Sequence, residues 1–304
     1  MQLTSATRKP VKRSSRPKGQ LVGLYFVLPA LLLYAVFFLY PFVRTIYLSM
    51  TEWNGVVAPV FTGLENYQRL LGDSQMWHSL WNNVIWVVLG TAAPIIIGLF
   101  LSVVLWTGAR GSLFFRTIYF LPVVVSPVII GVIWNWIYNP LFGILNRGLR
   151  DIGLGNLARG WLGEPSTALY AVMVTAIWSY IGFCVVVLYS GLQKVDSQLV
   201  DAAKIDGANA WTRFRHVIIP QISSVLTMVL VYTVIGGFNV FDLIWIMTKG
   251  GPANASEVIA TYTYAKAFQE NEVGYGAALS MVMTLIALVA AIITLRLRGK
   301  EEVA

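Results

Sequence analysis

VDAAKIDGANAWTRFRHVIIP, residues 200–220, is a charge-rich interior stretch, with Asp201, Lys204, Asp206, Arg213 and Arg215, in a chain that is otherwise strongly apolar. Its first half, Asp201-Ala202-Ala203-Lys204-Ile205, reads as a short helix that meets Gly207, where the backbone can take positive φ and end a turn. A second amphipathic run follows and is closed by Pro220. The pattern predicts helix, turn, helix, lying outside the membrane between two spanning segments.

On both sides of this island the charges disappear. Hydrophobic residues make up 57% of 304 positions and charged residues 12%, with a mean hydropathy of +0.68, whereas a soluble domain is about one quarter charged. No Asp, Glu, Lys or Arg occurs in 20–43, 74–109, 117–146, 165–193, 216–241 or 273–295. Each window exceeds the roughly 20 residues that a spanning helix needs, and apolar segments of soluble cores seldom exceed roughly 14. The expectation is an all-α integral membrane domain of six transmembrane helices over 20–298, with 194–220 as a loop on one side.

The apolar run from Leu21 is too long for a cleaved signal peptide and lacks a small-residue cleavage pattern, so it reads as a retained anchor. Ahead of it, residues 1–19 are rich in Ser, Pro and basic side chains and are expected to form a disordered, lipid-facing tail; 299–304 form a short second tail. Fifteen of the 22 Lys and Arg fall in the first tail, the 110–116 and 194–215 connections and the C-terminal end, against six on the opposite side. By the positive-inside rule both termini are cytoplasmic. The net charge of +8 thus points to membrane lipid and not to nucleic acid. Cys184 stands alone within a span, which precludes an internal disulfide, and His78 and His216 lie far apart without ligand spacing, so no metal site is assigned.

The spans are placed near 21–48, 83–106, 115–138, 168–192, 222–247 and 276–297. Outside the membrane, 64–71 reads as a short helix with Leu64, Tyr67, Leu70 and Leu71 on one face, and Trp77 and Trp81 as interfacial anchors. Leu145, Leu149 and Ile152 mark a second interfacial helix.

No Lys is followed by Ser or Thr, so the chain holds no phosphate-cradling loop of the Walker type. Proton or sodium coupling normally leaves ionisable groups deep in the spans, and here only Arg44 and Asp242 come near, both toward the outer ends. A membrane conduit whose energy source sits on a separate subunit remains, with 200–220 as the docking place. An autonomous secondary transporter or channel, or a scaffold without transport, are the alternatives; a co-purifying ATPase subunit would discriminate.

These residues resemble the permease subunits of bacterial binding-protein-dependent ABC importers. The family's cytoplasmic signature is an acidic residue, two alanines, a glycine four positions on, then a hydrophobic residue and a proline about a dozen positions later. Here those are Asp201, Ala202, Ala203, Gly207, Ile218 and Pro220, with Asp206 and Ala208 flanking the glycine and Asp201 standing where Glu is usual. GLENY at 63–67, YFLP at 119–122, GLQ at 191–193, TKGGP at 248–252 and YGAALS at 275–280 look like the sugar-uptake, maltose-type branch. The resemblance implies a non-catalytic subunit in a bacterial inner membrane. Its implied partners are a second homologous permease, two ATPase subunits carrying ATP and Mg, and an extracytoplasmic solute-binding protein. It further implies that the two short helices present Asp201, Lys204 and Asp206 to the ATPase, while Trp211, Phe214 and Val217 face the bundle.

Sugars are held by hydrogen bonds and ring stacking, so polar and aromatic groups within spans are the candidates for a substrate path. These are Asn135 in span three, Trp178 and Tyr180 in span four, and Thr233, Asn239 and Asp242 in span five. Asn239 and Asp242, three apart, are expected to share a helix face.

Overall fold

The computed structural model describes residues 17–108 and 110–299; the expected tails lie outside these up to residue 16 and from residue 300. The chain divides into two compact units, 1–47 and 48–304. The first is built on span one: a helix Pro17–Tyr34, a π turn Ala35–Leu39 and a helix from Tyr40. Pro41 has no N–H to give to the preceding turn, and the π turn just before it widens the helix where that bond is missing.

The second unit opens with an antiparallel pair, Thr51–Glu52 against Val60–Phe61, and the short helix Glu65–Gly72. Asn66 Nδ2 donates to the carbonyls of Ser49 and Thr51 at 3.0 and 2.9 Å, and the Ser49 and Tyr67 hydroxyls meet at 2.7 Å. These bonds set the helix's rotation so that Leu70 is buried while Leu64 and Leu71 stay exposed. The single apolar face expected there is therefore divided.

Span two is the helix Ser74–Trp106, 33 residues long, starting well before residue 83. Asp73 explains the early start: its carboxylate caps the helix by accepting from the amides of Gln75 and Met76 at 3.0 and 3.2 Å. Trp77 and Trp81 consequently sit, exposed, on its first two turns. The helix Ile144–Asp151 fits the second interfacial segment, with Leu145 packed on the core and Ile152 exposed beyond its end.

Span three is not one helix. Ser112–Val124 and Pro127–Ile137 meet at 98°. Pro127 starts the second piece and holds Ser126 in an extended conformation at ψ 137°, as residues before proline prefer. Span four, Ala168–Leu192, is the most buried spanning helix, and glycines let its neighbours approach it. A Cβ on Gly98 of span two would lie 2.5 Å from that of Cys184, and one on Gly182 would lie 1.8 Å from the Tyr119 carbonyl of span three. Close crossing through small residues is how spanning helices gain dispersion contact where lipid supplies no hydrophobic drive.

Span five is shorter than the sequence pattern implies. Its helix runs Ser223–Phe238, ends at Asn239, and is followed after two non-helical residues by a separate helix Asp242–Met247. Asn239 and Asp242 thus do not share a helix face: the paired glycines Gly236 and Gly237 weaken the helix, and the chain turns before the second residue is reached. Span six is Val273–Gly299. Among the described residues four helices are long and apolar enough to cross a membrane as continuous segments, and counting each bent pair as one span gives six.

Candidate functional site

The 200–220 stretch folds as a helix–turn–helix. Asp196 caps the first helix, Ser197–Ile205, by accepting from the Gln198 amide at 2.8 Å. Gly207 ends it at φ +80°, with the Ala208 amide reaching the Ala203 carbonyl (2.9 Å) and the Gly207 amide that of Lys204 (3.1 Å). These are the two bonds of a Schellman termination. Asn209 then caps the second helix by accepting from the Thr212 amide at 2.8 Å. That helix starts at Ala210, passes through a π turn Phe214–Ile218, and reaches Gln221 before bending 73° into span five. The π turn precedes Pro220, the residue that cannot continue the ladder.

What seats this element is apolar. Val200, Ile218 and Ile222 are buried with Leu188 and Leu192 of span four and Leu226 and Val229 of span five, and Val103 and Trp106 of span two pack against them. The Gln221 side chain also accepts from the Asp196 amide at 2.9 Å, tying the end of the element to its start. The outward face carries Asp201, Ala202, Lys204, Asp206 and Gly207, with Lys204 paired to Asp201 at 2.7 Å; Pro220 is exposed and Ala203 half-buried. Phe214 and Val217 turn inward, but Trp211 is 65% exposed and rests on Phe214 at 5.8 Å. The expectation that Trp211 faces the bundle is corrected: the turn at Gly207 and Ala208 leaves the first exposed turn of the second helix beyond the apolar seat.

Where spans three and five break, a cavity opens. It measures about 190 Å³ and is lined by Tyr180, Thr233, Asn239 and Asp242 together with Trp86, Pro127 and Phe241. A second cavity of about 250 Å³ shares Tyr180 and Pro127 with the first and is lined further by Ser179, Phe183 and Tyr232. Four of the six expected path residues thus meet at one wall. The hydroxyl of Thr233 is already spent on the Val229 and Leu230 carbonyls at 2.9 and 3.0 Å, which leaves its methyl to the cavity. Asn135 and Trp178 do not line the cavity: Asn135 points its amide at the Ile246 carbonyl (3.5 Å), and Trp178 packs edge-on against Trp134 at 5.6 Å. Trp86 and Phe241 were not singled out from sequence, since aromatic residues in a lipid-facing window carry no sign of which face meets a cavity.

At the end of the bundle away from the helix–turn–helix, span two is clasped to the 248–275 connection. Asn82 Nδ2 donates to the carbonyls of Ala255 (3.1 Å) and Glu257 (2.8 Å), and Asn83 Oδ1 accepts from the Ile259 amide at 2.8 Å. The Asp73 carboxylate accepts from the hydroxyls of Tyr262 (2.6 Å) and Tyr275. Burial works against its ionisation, but the donors from Tyr262, Tyr275 and two backbone amides outweigh it and hold this carboxyl below its usual range. Glu257 is the opposite case. Burial pushes its carboxyl above the usual range, against the lowering effect of the bond from the Gln75 amide at 2.5 Å. The adjacent pair Asn82-Asn83, in a window otherwise meant for lipid, was the sequence signal for this clasp.

Residues 90–300 match the family described as binding-protein-dependent transport system inner membrane component. The chain is 35% identical to the probable ABC transporter permease protein YurN of Bacillus subtilis, over 94% of this chain and 99% of the relative. It is 32% identical to the probable starch degradation products transport system permease protein AmyD of Thermoanaerobacterium thermosulfurigenes, over 91% and 94%. Its fold is similar to a chain of a bacterial alginate ABC transporter solved in complex with an alginate pentasaccharide-bound periplasmic protein. That match has a TM-score of 0.79 at 20% identity and covers 94% of this chain and 96% of the other.

Proposed function

The chain belongs to the family of binding-protein-dependent transport system inner membrane components, the permeases of ABC importers, and on that footing we propose that it forms half of the conduit for a sugar. The observation that carries the reading is the mechanical connection between its two sites. The exposed motif around Asp201 and Gly207 is packed through Val200, Ile218 and Ile222 onto spans two, four and five, and spans four and five also wall the cavity at Tyr180 and Asn239. A push on the motif moves the cavity wall, because close-packed apolar seats transmit displacement with little compliance.

In this reading the chain performs no catalysis. ATP and Mg are bound by two ATPase subunits that dock on 200–220 from the cytoplasm, where both termini also lie, and their closure carries the helix–turn–helix as a rigid body between inward-open and outward-open states. A second, homologous permease completes the path. The size of the cavity supports this: about 190 Å³ is less than the roughly 300–1,000 Å³ that ligand sites usually occupy. A solute-binding protein delivers substrate at the end bearing the Asn82 and Asn83 clasp, on the outside of a bacterial inner membrane. Sugar is favoured by the cavity's chemistry, amide and carboxylate beside Trp86, Tyr180 and Phe241, and by what the starch-product and alginate relatives are named for. Co-expression with its ATPase, second permease and binding protein tests the reading. Purification should recover a complex whose ATP hydrolysis rises with sugar-loaded binding protein; a chain that transports alone would overturn it.

A further inference from the structure

Phe241, at the rim of the cavity, is the first of four aromatic rings in unbroken contact. It stacks on Trp245 at 5.6 Å with planes 13° apart and touches Tyr264 at 5.5 Å; Trp245 meets Tyr264 at 4.6 Å; Tyr264 meets Phe268 at 5.2 Å. The two halves come from different elements, the short helix Asp242–Met247 and the end of Ile259–Tyr264 with its following π turn. The first three rings are half-buried and Phe268 is 70% exposed. Polar groups flank both ends, Asn239 and Asp242 at the cavity, and at the outer end Gln269 and the Glu270 carboxylate, which is paired to Lys266 at 2.5 Å. Spans four and five are joined by the helix–turn–helix, so the connection between spans five and six lies at the opposite end of the bundle.

We propose that Phe241, Trp245, Tyr264 and Phe268 form an aromatic strip that binds pyranose rings on their way from the outer surface into the Asn239 and Asp242 cavity. The proposal rests on the sugar reading above. The contacting rings cover one another in part, and the surface they leave open is a continuous apolar track whose polar ends match a ligand that has apolar ring faces and polar edges. A lipid tail has no use for the Asp242 carboxylate at the cavity. A protein partner seated on Phe268 is the competing occupant, and the test separates the two.

The whole importer is reconstituted in proteoliposomes with its binding protein, and uptake of radiolabelled maltotriose, lactose, cellobiose and trehalose is measured. With whichever sugar the wild type transports, Phe268→Leu and Tyr264→Leu should lower the maximal rate at saturating loaded binding protein about fivefold, as loss of one aromatic contact would. Phe268→Trp and Tyr264→Phe should restore it, with complex recovery and basal ATP hydrolysis unchanged throughout. Wild-type rates in both Leu variants overturn the strip and leave the sugar reading standing. A defect seen only as weaker saturation by binding protein, or as loss of complex, shows Phe268 to be a protein contact and also overturns it. Wild-type uptake of none of the four sugars overturns the sugar reading, and the strip with it.

Discussion

Gly207 is the position where a small change should act on force transfer and on little else. Its φ of +80° terminates the first short helix, and nothing lies within 4 Å of where a Cβ would stand. An alanine therefore has room, and its cost is conformational: about 1–2 kcal/mol for holding an L-residue in the left-handed region, or about five- to thirtyfold in the population of the native turn. Asparagine, which tolerates that region, should fall between glycine and alanine. Proline is different in kind. Its φ is locked near −65°, and it removes the amide that bonds to the Lys204 carbonyl at 3.1 Å. A cost of about 3 kcal/mol or more should then lower the population of the native turn about 150-fold or more relative to its alternatives. Because Gly207 is exposed and remote from the Val200 and Ile218 seat, membrane insertion and bundle stability should be unchanged. The assay is sugar-stimulated ATP hydrolysis and uptake by the reconstituted complex across glycine, asparagine, alanine and proline. The expected order is monotonic, with Gly207→Pro uncoupled. Wild-type coupling in the proline variant would refute the reasoning, and so would alanine as damaging as proline, which would mean that space and not backbone conformation is limiting.

Other consequences are equally direct. Asp201→Lys, which repels Lys204 in place of pairing with it at 2.7 Å, should abolish uptake while the protein still inserts, read by membrane fractionation beside transport. Asn239→Ala or Asp242→Ala should reduce uptake about tenfold, the scale of one lost hydrogen bond to a charged or buried group, without loss of complex on purification. Gly182→Ala brings a Cβ to 1.8 Å from the Tyr119 carbonyl and should lower stability in detergent by about 1–3 kcal/mol, while Gly72→Ala, with no atom within 4 Å, should not. Asp73→Ala removes a helix cap and the acceptor of two tyrosine hydroxyls and should cost about 2–4 kcal/mol by thermal denaturation. Glu257 gives a pH signature: its carboxyl is raised by burial, so its contribution is full below the ordinary carboxylate range and is lost as pH climbs through the raised value. Glu257→Gln should therefore raise the melting temperature at alkaline pH and flatten its pH dependence; an unchanged profile would show that the carboxyl is not the group responsible.

Reading of the sequence reached furthest where the deciding physics is local. The cost of placing charge in hydrocarbon is summed residue by residue, so six charge-free windows specified how many times the chain crosses. Likewise Gly207 and Pro220 declared the helix–turn–helix, since capping and proline sterics act within one turn of the chain. The site was legible in part: Tyr180, Thr233, Asn239 and Asp242 do line one cavity. The spacing of Asn239 and Asp242 predicts a shared helix face, which the structure does not have, because the helix ends at Asn239. Asn135 and Trp178 were chemically plausible and are turned to Ile246 and Trp134. Hydropathy measures how well a segment dissolves in lipid and is indifferent to where its backbone breaks or which face meets a neighbour. Those choices depend on contacts distant in sequence: Gly182 against Tyr119, Asn83 against Ile259, Phe241 against Tyr264. The six crossings and the helix–turn–helix were thus determined by the sequence alone, and the wall of the cavity was decided only when the broken helices packed against partners elsewhere in the chain.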